Sequence, residues 1–293
     1  MKTCEASLIC RNLQLSASVA FLLSPIYPRL FQTRAVDSAY LERFAGVARL
    51  YGKSSLERLS RTSFMIIGLG GVGSWTAEAL ARSGVGKLVL VDGDDVCTSN
   101  TNRQLHAVKE SMGQPKAKVL ADRARSIHPT IDVQAEIRFV SRPGAPAALD
   151  GFQGIVIDAI DSLSAKCGIL AATRAAKLRT VTTGGCAGRI SGTQIKVSDL
   201  TSTRDDPLLR LVRKRLRQNF DFPRKGPMDI SAVWSDEPLR VATDCEGLPG
   251  NQLPEDEELH PNCEWGYGTA AHVAGAFGLA AAGEAIRLAL LET

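Results

Sequence analysis

The chain has 293 residues, 44% of them hydrophobic and 23% charged, which is the composition of a soluble protein with a full core in one large or two small domains. Its net charge of +4 permits contact with nucleic acid but does not require it. The seven cysteines are odd in number and form no CxxC pair, which argues against a disulfide framework and a four-cysteine zinc site. We therefore expect no zinc and a reducing compartment.

The first 37 residues differ in composition from the rest. No acidic residue lies between Glu5 and Asp37, serines recur, and the basic residues are Arg11, Arg29 and Arg34. This pattern is typical of an organellar presequence, so we expect a mitochondrial protein; the alternative is a cytoplasmic protein with a disordered tail. The folded domain is then expected to span residues 38–293.

Predicted strands and helices alternate along the middle of the chain. Buried strands are predicted at 63–68, 87–92, 131–139, 154–158 and 180–183, and amphipathic helices at 72–83, 114–128 and 163–178. Because such alternation builds a parallel sheet covered by helices on both faces, we expect an α/β fold with a Rossmann-like, mostly parallel sheet.

The pattern changes after Gly185. Alternating segments at 193–197 and 231–235 predict antiparallel strands that extend the sheet. Between them, Asp206-Pro207 has a capping residue followed by proline in the first turn, which predicts a helix over 207–219.

The C-terminal part is predicted to contain a mobile insertion and an Ala-rich helix. Residues 244–264 are acidic and contain Pro and Gly, whereas 266–291 predict a helix with a break near Gly275 or Gly278. The uncharged stretch of this helix approaches the length of a membrane span. Since Ala and Gly are only weakly apolar and His272 interrupts the stretch, we favour a packed or interfacial helix over membrane association.

A glycine-rich loop follows the first predicted strand and opens a helix. Its glycines, Gly68, Gly70, Gly71 and Gly73, let the backbone approach phosphates at a helix N-terminus, and Asp92 ends the next strand where it can bind ribose hydroxyls. Taken alone, this motif fits an NAD-dependent dehydrogenase as well as an ATP-binding enzyme.

Polar residues at later strand ends favour a triphosphate. Arg103 and Lys116 supply cations beyond those a pyrophosphate needs, and Asp94 adds a carboxylate. Asp161 follows the fourth strand and can hold Mg²⁺ beside the phosphates. Each residue also has a structural explanation, a surface salt bridge or a helix cap, but their occurrence at successive strand ends favours an ATP site.

These motifs together resemble the ThiF/MoeB/HesA family of enzymes that form acyl-adenylates. The motifs are the glycine loop, Asp92-x-Asp94, Asn100-x-Asn102-Arg103-Gln104, Gly113-x-x-Lys116-Ala and Asp158-Ala-x-Asp161. The resemblance implies that Asp92 and Asp94 bind ribose and that Asp161 binds Mg²⁺. It assigns the phosphates to Asn102, Arg103, Gln104 and Lys116. It further implies a homodimer in which Arg49 reaches the partner's site.

A second set of motifs resembles one branch of the family, the tRNA threonylcarbamoyladenosine dehydratases. The set includes Arg43-Phe to Leu-Tyr-Gly52, Gly-Val-Gly-Ser-Trp75, Thr101-Asn-Arg-Gln-x-His106-Ala and Val181-Thr-Thr-Gly-Gly185, within a resemblance that covers about residues 40–291. In that branch ATP activates the threonyl carboxylate of a modified adenosine in tRNA. The modification then displaces the adenylate from within itself, which closes a ring with net loss of water.

The sequence departs from the family in its cysteines and in one insertion. Zinc-carrying relatives have two CxxC pairs, which this chain lacks, and the segment 244–264 differs from the shorter form expected. Cys263 and Cys186 are the best candidates for a transfer cysteine, but a structural role is favoured for both because reactive thiols need an electropositive, accessible setting.

Three other functions stay open from the sequence. One is an adenylating enzyme that acts on the C-terminus of a ubiquitin-like or sulfur-carrier protein, which a transfer cysteine would favour. Another is a protein that binds nucleotide without chemistry, against which Arg103, Lys116 and Asp161 argue. A dehydrogenase is a more distant alternative.

The predicted helix 207–219 and its flanks are strongly basic. Residues 204–225 contain eight cations, Arg204, Arg210, Arg213, Lys214, Arg215, Arg217, Arg224 and Lys225, against three aspartates. Such a run is often only a solvated helix face. Because the resemblance implies a polyanionic substrate, we expect this helix to contact tRNA phosphates.

Overall fold

A computed structural model describes residues 37–242 and 267–291, and the described residues from Ala39 onward form one compact unit. The predicted presequence, with the exception of Asp37, and the predicted insertion 244–264 with Cys263 lie outside the described residues.

A seven-stranded sheet forms the centre of this unit, in the order β3-β2-β1-β4-β5-β7-β6. Its strands are β1 Ser63–Ile67, β2 Lys87–Val91, β3 Asp132–Glu136, β4 Ile155–Asp158, β5 Arg179–Thr183, β6 Ile195–Asp199 and β7 Ser231–Ser235. The predicted α/β fold with a mostly parallel sheet is confirmed. Consequently, β1, β2, β4 and β5 end at the same edge of the sheet.

Eight α-helices are present in the described residues. They are α1 Ser38–Tyr51, α2 Lys53–Leu59, α3 Gly71–Arg82, α4 Lys116–Ile127, α5 Ala145–Ala148, α6 Leu163–Ala175, α7 Pro207–Asn219 and α8 Ala271–Leu290. Their apolar faces and the strands β1, β2 and β4 supply the hydrophobic core.

One of the two strands predicted to be antiparallel runs parallel to its inner neighbour. β6 pairs antiparallel with β7, but β7 pairs parallel with β5, so the prediction is wrong for β7. Alternation of residues indicates which face of a strand is buried, not the direction of the chain. The four residues from Ala232 to Ser235 are all buried, as in an inner strand covered on both faces.

Helix α8 is continuous, so the predicted break at Gly275 or Gly278 is wrong. Gly278 serves close packing against α3, since a Cβ there would lie 2.5 Å from the carbonyl oxygen of Val72, whereas a Cβ at Gly275 would make ordinary contact with Trp75 at 3.5 Å. Thr76 in α3 donates its hydroxyl to the carbonyl of Gly278 at 3.0 Å. In the last turn, Arg58 of α2 donates to the carbonyls of Leu290 and Leu291 at 3.2 and 3.3 Å.

Among the described helices, α8 alone is long and apolar enough to cross a membrane by length and composition. In its most apolar window, 61% of the residues are buried inside the protein. Its apolar residues therefore pack against α3 and the sheet, as expected for the core helix of a globular domain.

Candidate active site

The glycine loop connects β1 to α3. Gly68 has φ +89°, and a Cβ there would lie 2.7 Å from Ile160 and 2.9 Å from the backbone of Ala159. Gly73 packs the helix onto the loop, since its Cβ would lie 1.8 Å from the carbonyl oxygen of Gly68. Gly70 and Gly71 face a cavity of about 690 Å³. The loop therefore presents backbone without side chains to this cavity. Gly73 does not line the cavity, but it allows the helix to pack closely on the loop.

Asp92 supports the glycine loop from the end of β2. Its carboxylate accepts a hydrogen bond from the backbone N–H of Leu69 at 2.6 Å and one from that of Asp94 at 2.8 Å. Burial raises the pKa of Asp92 above its usual value, and these two backbone donors and Lys116 partly oppose the shift. The side chain lines the cavity, where its remaining lone pairs can accept from a sugar hydroxyl.

Lys116 begins α4 and points at the same cavity. Its ammonium group lies 2.8 Å from the Asp94 carboxylate, and its backbone N–H donates to the Asp94 carbonyl at 3.0 Å. The lysine side chain is nearly buried whereas Asp94 is half exposed. These two contacts hold the ammonium at the cavity wall beside the glycine loop.

Arg103 and Gln104 lie on the cavity wall next to Gly70 and Gly71. Arg103 donates to the Ser99 carbonyl at 2.8 Å and to the Asn102 side chain at 2.9 Å. The carbonyl of Arg103 accepts from the Trp75 indole at 3.1 Å. These contacts fix the position of the guanidinium group relative to α3.

Gln104 and Asn102 differ in their position. Gln104 is buried, and within the described part of the chain its side-chain Oε1 has no hydrogen-bond partner, as expected for a group that a ligand completes. Asn102 does not line the cavity. Its side chain donates to the Thr269 carbonyl at 2.9 Å and so ties the loop to the residues that precede α8.

The two aspartates after β4 have different roles. Asp158 is fully buried and accepts from Lys166 at 2.8 Å and from the Thr182 hydroxyl at 2.7 Å, so it joins β4, α6 and β5. Asp161 is exposed and lines the cavity. The described residues contain no cluster of three His, Cys, Asp or Glu side chains. A single exposed carboxylate on this wall nonetheless fits Mg²⁺, which usually takes one or two carboxylates together with substrate phosphates and water.

Arg49 lies away from the cavity of its own chain. Helix α1 is anchored by the buried rings of Tyr40 and Phe44, which leaves Arg49 exposed near its C-terminal end. The next two residues, Leu50 and Tyr51, are 73% and 43% exposed. A cation followed by two exposed apolar side chains thus projects from this end of α1.

The far end of the cavity is built around a buried ion pair that the sequence did not reveal. Asp206 caps α7 by accepting from the Leu209 N–H at 2.9 Å, and it also accepts from the Gly185 N–H at 3.1 Å and from Arg189 at 3.2 Å. Arg189 returns a hydrogen bond to the Gly185 carbonyl at 2.8 Å. Only the capping role of Asp206 had a local signal, because its other partners lie 17 to 21 residues away.

Of the candidate cysteines, Cys186 lies on the cavity wall. It is half buried, with its sulfur 4.0 Å from the hydroxyl of Thr269. Cys97 is exposed elsewhere, and burial raises the pKa of Cys167 to about 11, as expected for an unreactive thiol. Cys263 lies outside the described residues.

Helix α7 presents its apolar side to the core and a basic side outward. Leu208, Leu209, Val212 and Leu216 are buried, whereas Arg210, Lys214 and Arg215 are exposed. Two further cations are engaged within the protein: Arg213 donates to the Thr203 hydroxyl, and Arg217 donates to the Pro223 carbonyl at 3.2 Å.

Comparison with known proteins agrees with this arrangement. The ThiF family model matches residues 42–292. The tRNA threonylcarbamoyladenosine dehydratase of Escherichia coli (strain K12) is 38% identical over 254 residues, 86% of this chain and 95% of that protein. The protein of the same description from Haemophilus influenzae is 38% identical over 249 residues, 84% of this chain and 93% of that protein.

A solved structure extends the similarity to three dimensions. The crystal structure of the E. coli tRNA N6-threonylcarbamoyladenosine dehydratase in complex with ATP has a TM-score of 0.77 at 38% identity, over 87% of this chain and 97% of that chain. The complex of the same enzyme with AMP gives the same TM-score. With its glycine loop, seven-stranded sheet and family match from residue 42 to 292, the chain belongs to the ThiF family.

Proposed function

We propose that the protein is an ATP-dependent tRNA threonylcarbamoyladenosine dehydratase. The observation that carries the proposal is a single cavity that brings the glycine loop together with Asp92, Arg103, Lys116 and Asp161, in a chain 38% identical to a dehydratase solved with ATP. A dehydrogenase is disfavoured because its dinucleotide needs no such set of cations.

The residues on the wall have distinct roles in binding ATP. Asp92 and Asp94 accept from the ribose hydroxyls, and the backbone of Gly70 and Gly71 faces the phosphates. Arg103 and Lys116 neutralise the charge that develops on the transferred group. Gln104 and Asn102 complete the phosphate side, Gln104 by direct contact and Asn102 by holding Arg103.

The reaction has two steps. A carboxylate oxygen of the threonyl group attacks the α-phosphorus of ATP, pyrophosphate leaves, and an acyl-adenylate forms. A nucleophilic atom of the same modification then attacks the acyl carbon and loses its proton, and AMP departs with the former carboxylate oxygen. The modification thus loses the elements of water, while ATP becomes AMP and pyrophosphate. Because the acceptor is internal, no transfer cysteine is required.

The cavity wall also offers a position for a metal ion. Asp161 would hold Mg²⁺, which lowers the charge repulsion between the phosphates and the incoming carboxylate. The protein itself supplies Arg103 and Lys116 at fixed positions. We propose no zinc site, since the sequence has no CxxC pair.

Assembly, tRNA contact and location complete the proposal. We take the enzyme to be a homodimer in which the exposed Arg49 serves the site of the second copy. The exposed cations of α7, Arg210, Lys214 and Arg215, supply phosphate contacts for tRNA. The composition of residues 1–37 supports a mitochondrial address.

Mass spectrometry of digested tRNA tests the proposal directly. tRNA that carries threonylcarbamoyladenosine is incubated with the enzyme and ATP, and the modified nucleoside should lose the mass of water. Matched reactions contain no ATP or the Arg103→Ala variant, and both should leave the nucleoside unchanged. If the mass of the nucleoside does not change although the enzyme binds ATP, the assignment is contradicted. Adenylation of a carrier protein is then favoured, and Cys186 on the cavity wall is the acceptor to test.

A further inference from the structure

The cavity extends beyond the part that ATP needs. Its nucleotide end is formed by the loops after β1, β2 and β4, and it continues past β5 to the first turn of α7. We name this second end the acceptor compartment and define it by residues 183–187, Arg189, Asp206, Pro207, Leu208, Leu211, Leu239 and Tyr267.

The two ends differ in charge. The nucleotide end carries the exposed or half-exposed charges of Arg103, Asp94 and Asp161. In the described part of the acceptor compartment, the charged side chains on the wall are Arg189 and Asp206, which are both fully buried and paired with each other. The remaining wall is leucine, an aromatic ring, small side chains and backbone. Such a surface suits a flat, uncharged group and not a phosphate.

The compartment is also rigidly held. The backbone N–H of Gly185 donates to Asp206, and the backbone carbonyl of Gly185 accepts from Arg189. Both peptide groups of Gly185 are therefore fixed. Gly184 has no room for a side chain, since a Cβ would lie 2.1 Å from the Asp206 carboxylate. Arg189 also donates to the carbonyl of Glu237. A buried ion pair is costly to form, and here it fixes a cavity wall relative to the start of α7.

Helix α7 presents two surfaces of different chemistry. Leu211 lines the compartment, while its neighbours Arg210 and Lys214 are exposed. A polyanion bound along the exposed cations would thus lie beside the entrance to an uncharged pocket. We propose that the acceptor compartment binds the purine base and acyl chain of the modified nucleoside, while α7 holds the surrounding tRNA phosphates. This inference rests on the proposed function.

Two variants test the compartment without touching the phosphate contacts. Leu211→Ala removes apolar contact, and Ala187→Leu fills space at the wall. The measurements are direct ATP binding, tRNA binding on filters, and tRNA-driven exchange of labelled pyrophosphate into ATP. For Leu211→Ala we expect kcat/KM for tRNA in the exchange to fall about tenfold or more, the usual effect of lost apolar contact in a pocket. Ala187→Leu should lower it further.

Affinity for ATP should stay within about twofold in both variants, and the salt dependence of tRNA binding should not change, because the phosphate contacts are retained. The paired variant Arg210→Ala with Lys214→Ala should show the opposite pattern, with weaker tRNA binding and a lower salt slope while ATP affinity is retained. Leu279→Ala, a truncation of an exposed leucine on α8, controls for loss of apolar surface as such.

The outcomes separate this inference from the proposed function. If Leu211→Ala and Ala187→Leu both exchange pyrophosphate at the wild-type rate, the proposed role of the acceptor compartment is wrong. It is also wrong if ATP affinity falls as much as the exchange rate does. If the wild-type enzyme itself supports no tRNA-driven exchange, the proposed function fails instead. Retained ATP binding in each variant shows that it has folded.

Discussion

The ammonium nitrogen of Lys116 lies 2.8 Å from the carboxylate of Asp94, with the lysine side chain 7% and the aspartate 51% exposed. The lysine is thus withdrawn from water, and its position depends on a partner that stays accessible to ligand. In the proposed complex a phosphate group would meet a cation that is already oriented, so little side-chain entropy would be lost on binding.

Removal of either cation that is proposed to bind phosphate, Arg103 or Lys116, should abolish adenylation. Arg103→Ala and Lys116→Ala each delete a charge that we propose acts on the transferred group, and such a loss typically costs about 2.7–4 kcal/mol of barrier, or roughly 10²- to 10³-fold in rate. Pyrophosphate exchange measures the loss. Lys118→Ala, an exposed lysine on the same helix, is the control and should exchange normally. Near-normal turnover in Arg103→Ala or Lys116→Ala would show that the phosphates bind elsewhere.

Arg49 should act on the partner's site. A mixture of Arg49→Ala and Arg103→Ala chains should then regain activity, with up to one working site in each mixed dimer, whereas each variant alone is inactive. Light scattering should show a dimer. A monomer, or no recovery on mixing, contradicts the shared site; Arg43→Ala, in the same helix, is a matched charge deletion.

The tRNA contact should depend on the exposed cations of α7. The sequence suggests Arg213, Lys214 and Arg217 as the test set, but Arg213 and Arg217 are bonded within the protein. The sharper variant changes Arg210, Lys214 and Arg215 to Ala. It should weaken binding of all tRNAs and lower the slope of log affinity against log salt by about 0.7–0.9 for each lost contact. ATP affinity should not change; an unaltered salt slope would move the tRNA surface away from α7.

Acid should destabilise the protein through His106. Burial, and secondarily the charge of Lys116, lowers the pKa of His106 to about 4 from 6.5. In the unfolded chain His106 therefore binds a proton near pH 6.5, whereas in the folded protein it binds one only near pH 4. The free energy of unfolding falls as the pH drops between these values. The full loss is roughly 3 kcal/mol at 1.4 kcal/mol per pKa unit.

Urea unfolding at several pH values measures this effect. In His106→Leu, the fall in stability between pH 6.5 and pH 4 should be smaller than in the wild type, whatever the absolute stability of the variant. His272→Leu, at an exposed position, serves as the control. Equal slopes for the wild type and His106→Leu contradict the assignment.

Helix α8 should behave as part of the globular domain. Since most of its apolar residues pack inside the protein, alkaline carbonate should release the protein from any membrane fraction. Retention in the pellet after carbonate treatment would instead indicate an inserted helix.

The sequence predicted the central βαβ region closely because its signals are local. β1, the glycine loop and α3 lie within about twenty residues, and strand-end residues such as Asp92 and Asp161 fall on one edge by the geometry of any parallel sheet. The direction of β7 was mispredicted because it depends on the connection through α7. The predicted break in α8 was also wrong, since Gly278 is explained only by the α3 surface it meets.

The parts of the site that escaped the sequence depend on long-range contacts. Arg189 has no motif, and it acquires a role only when Asp206 and Gly185 are brought to it. Asp158 was read as part of a strand-end motif, yet Lys166 and Thr182 hold it beneath the site. In both cases the chemistry of the residue was visible and its partner was not.

The position of α8 has a consequence for how the polypeptide reaches its native state. α3 begins at Gly71, but the surface that covers it is synthesised about two hundred residues later, and Arg58 finds its carbonyl partners only in the last turn of α8. A ribosome-bound chain that ends before residue 271 therefore leaves the α3 face uncovered. We therefore expect a nascent chain to stay sensitive to protease until α8 has emerged from the exit tunnel.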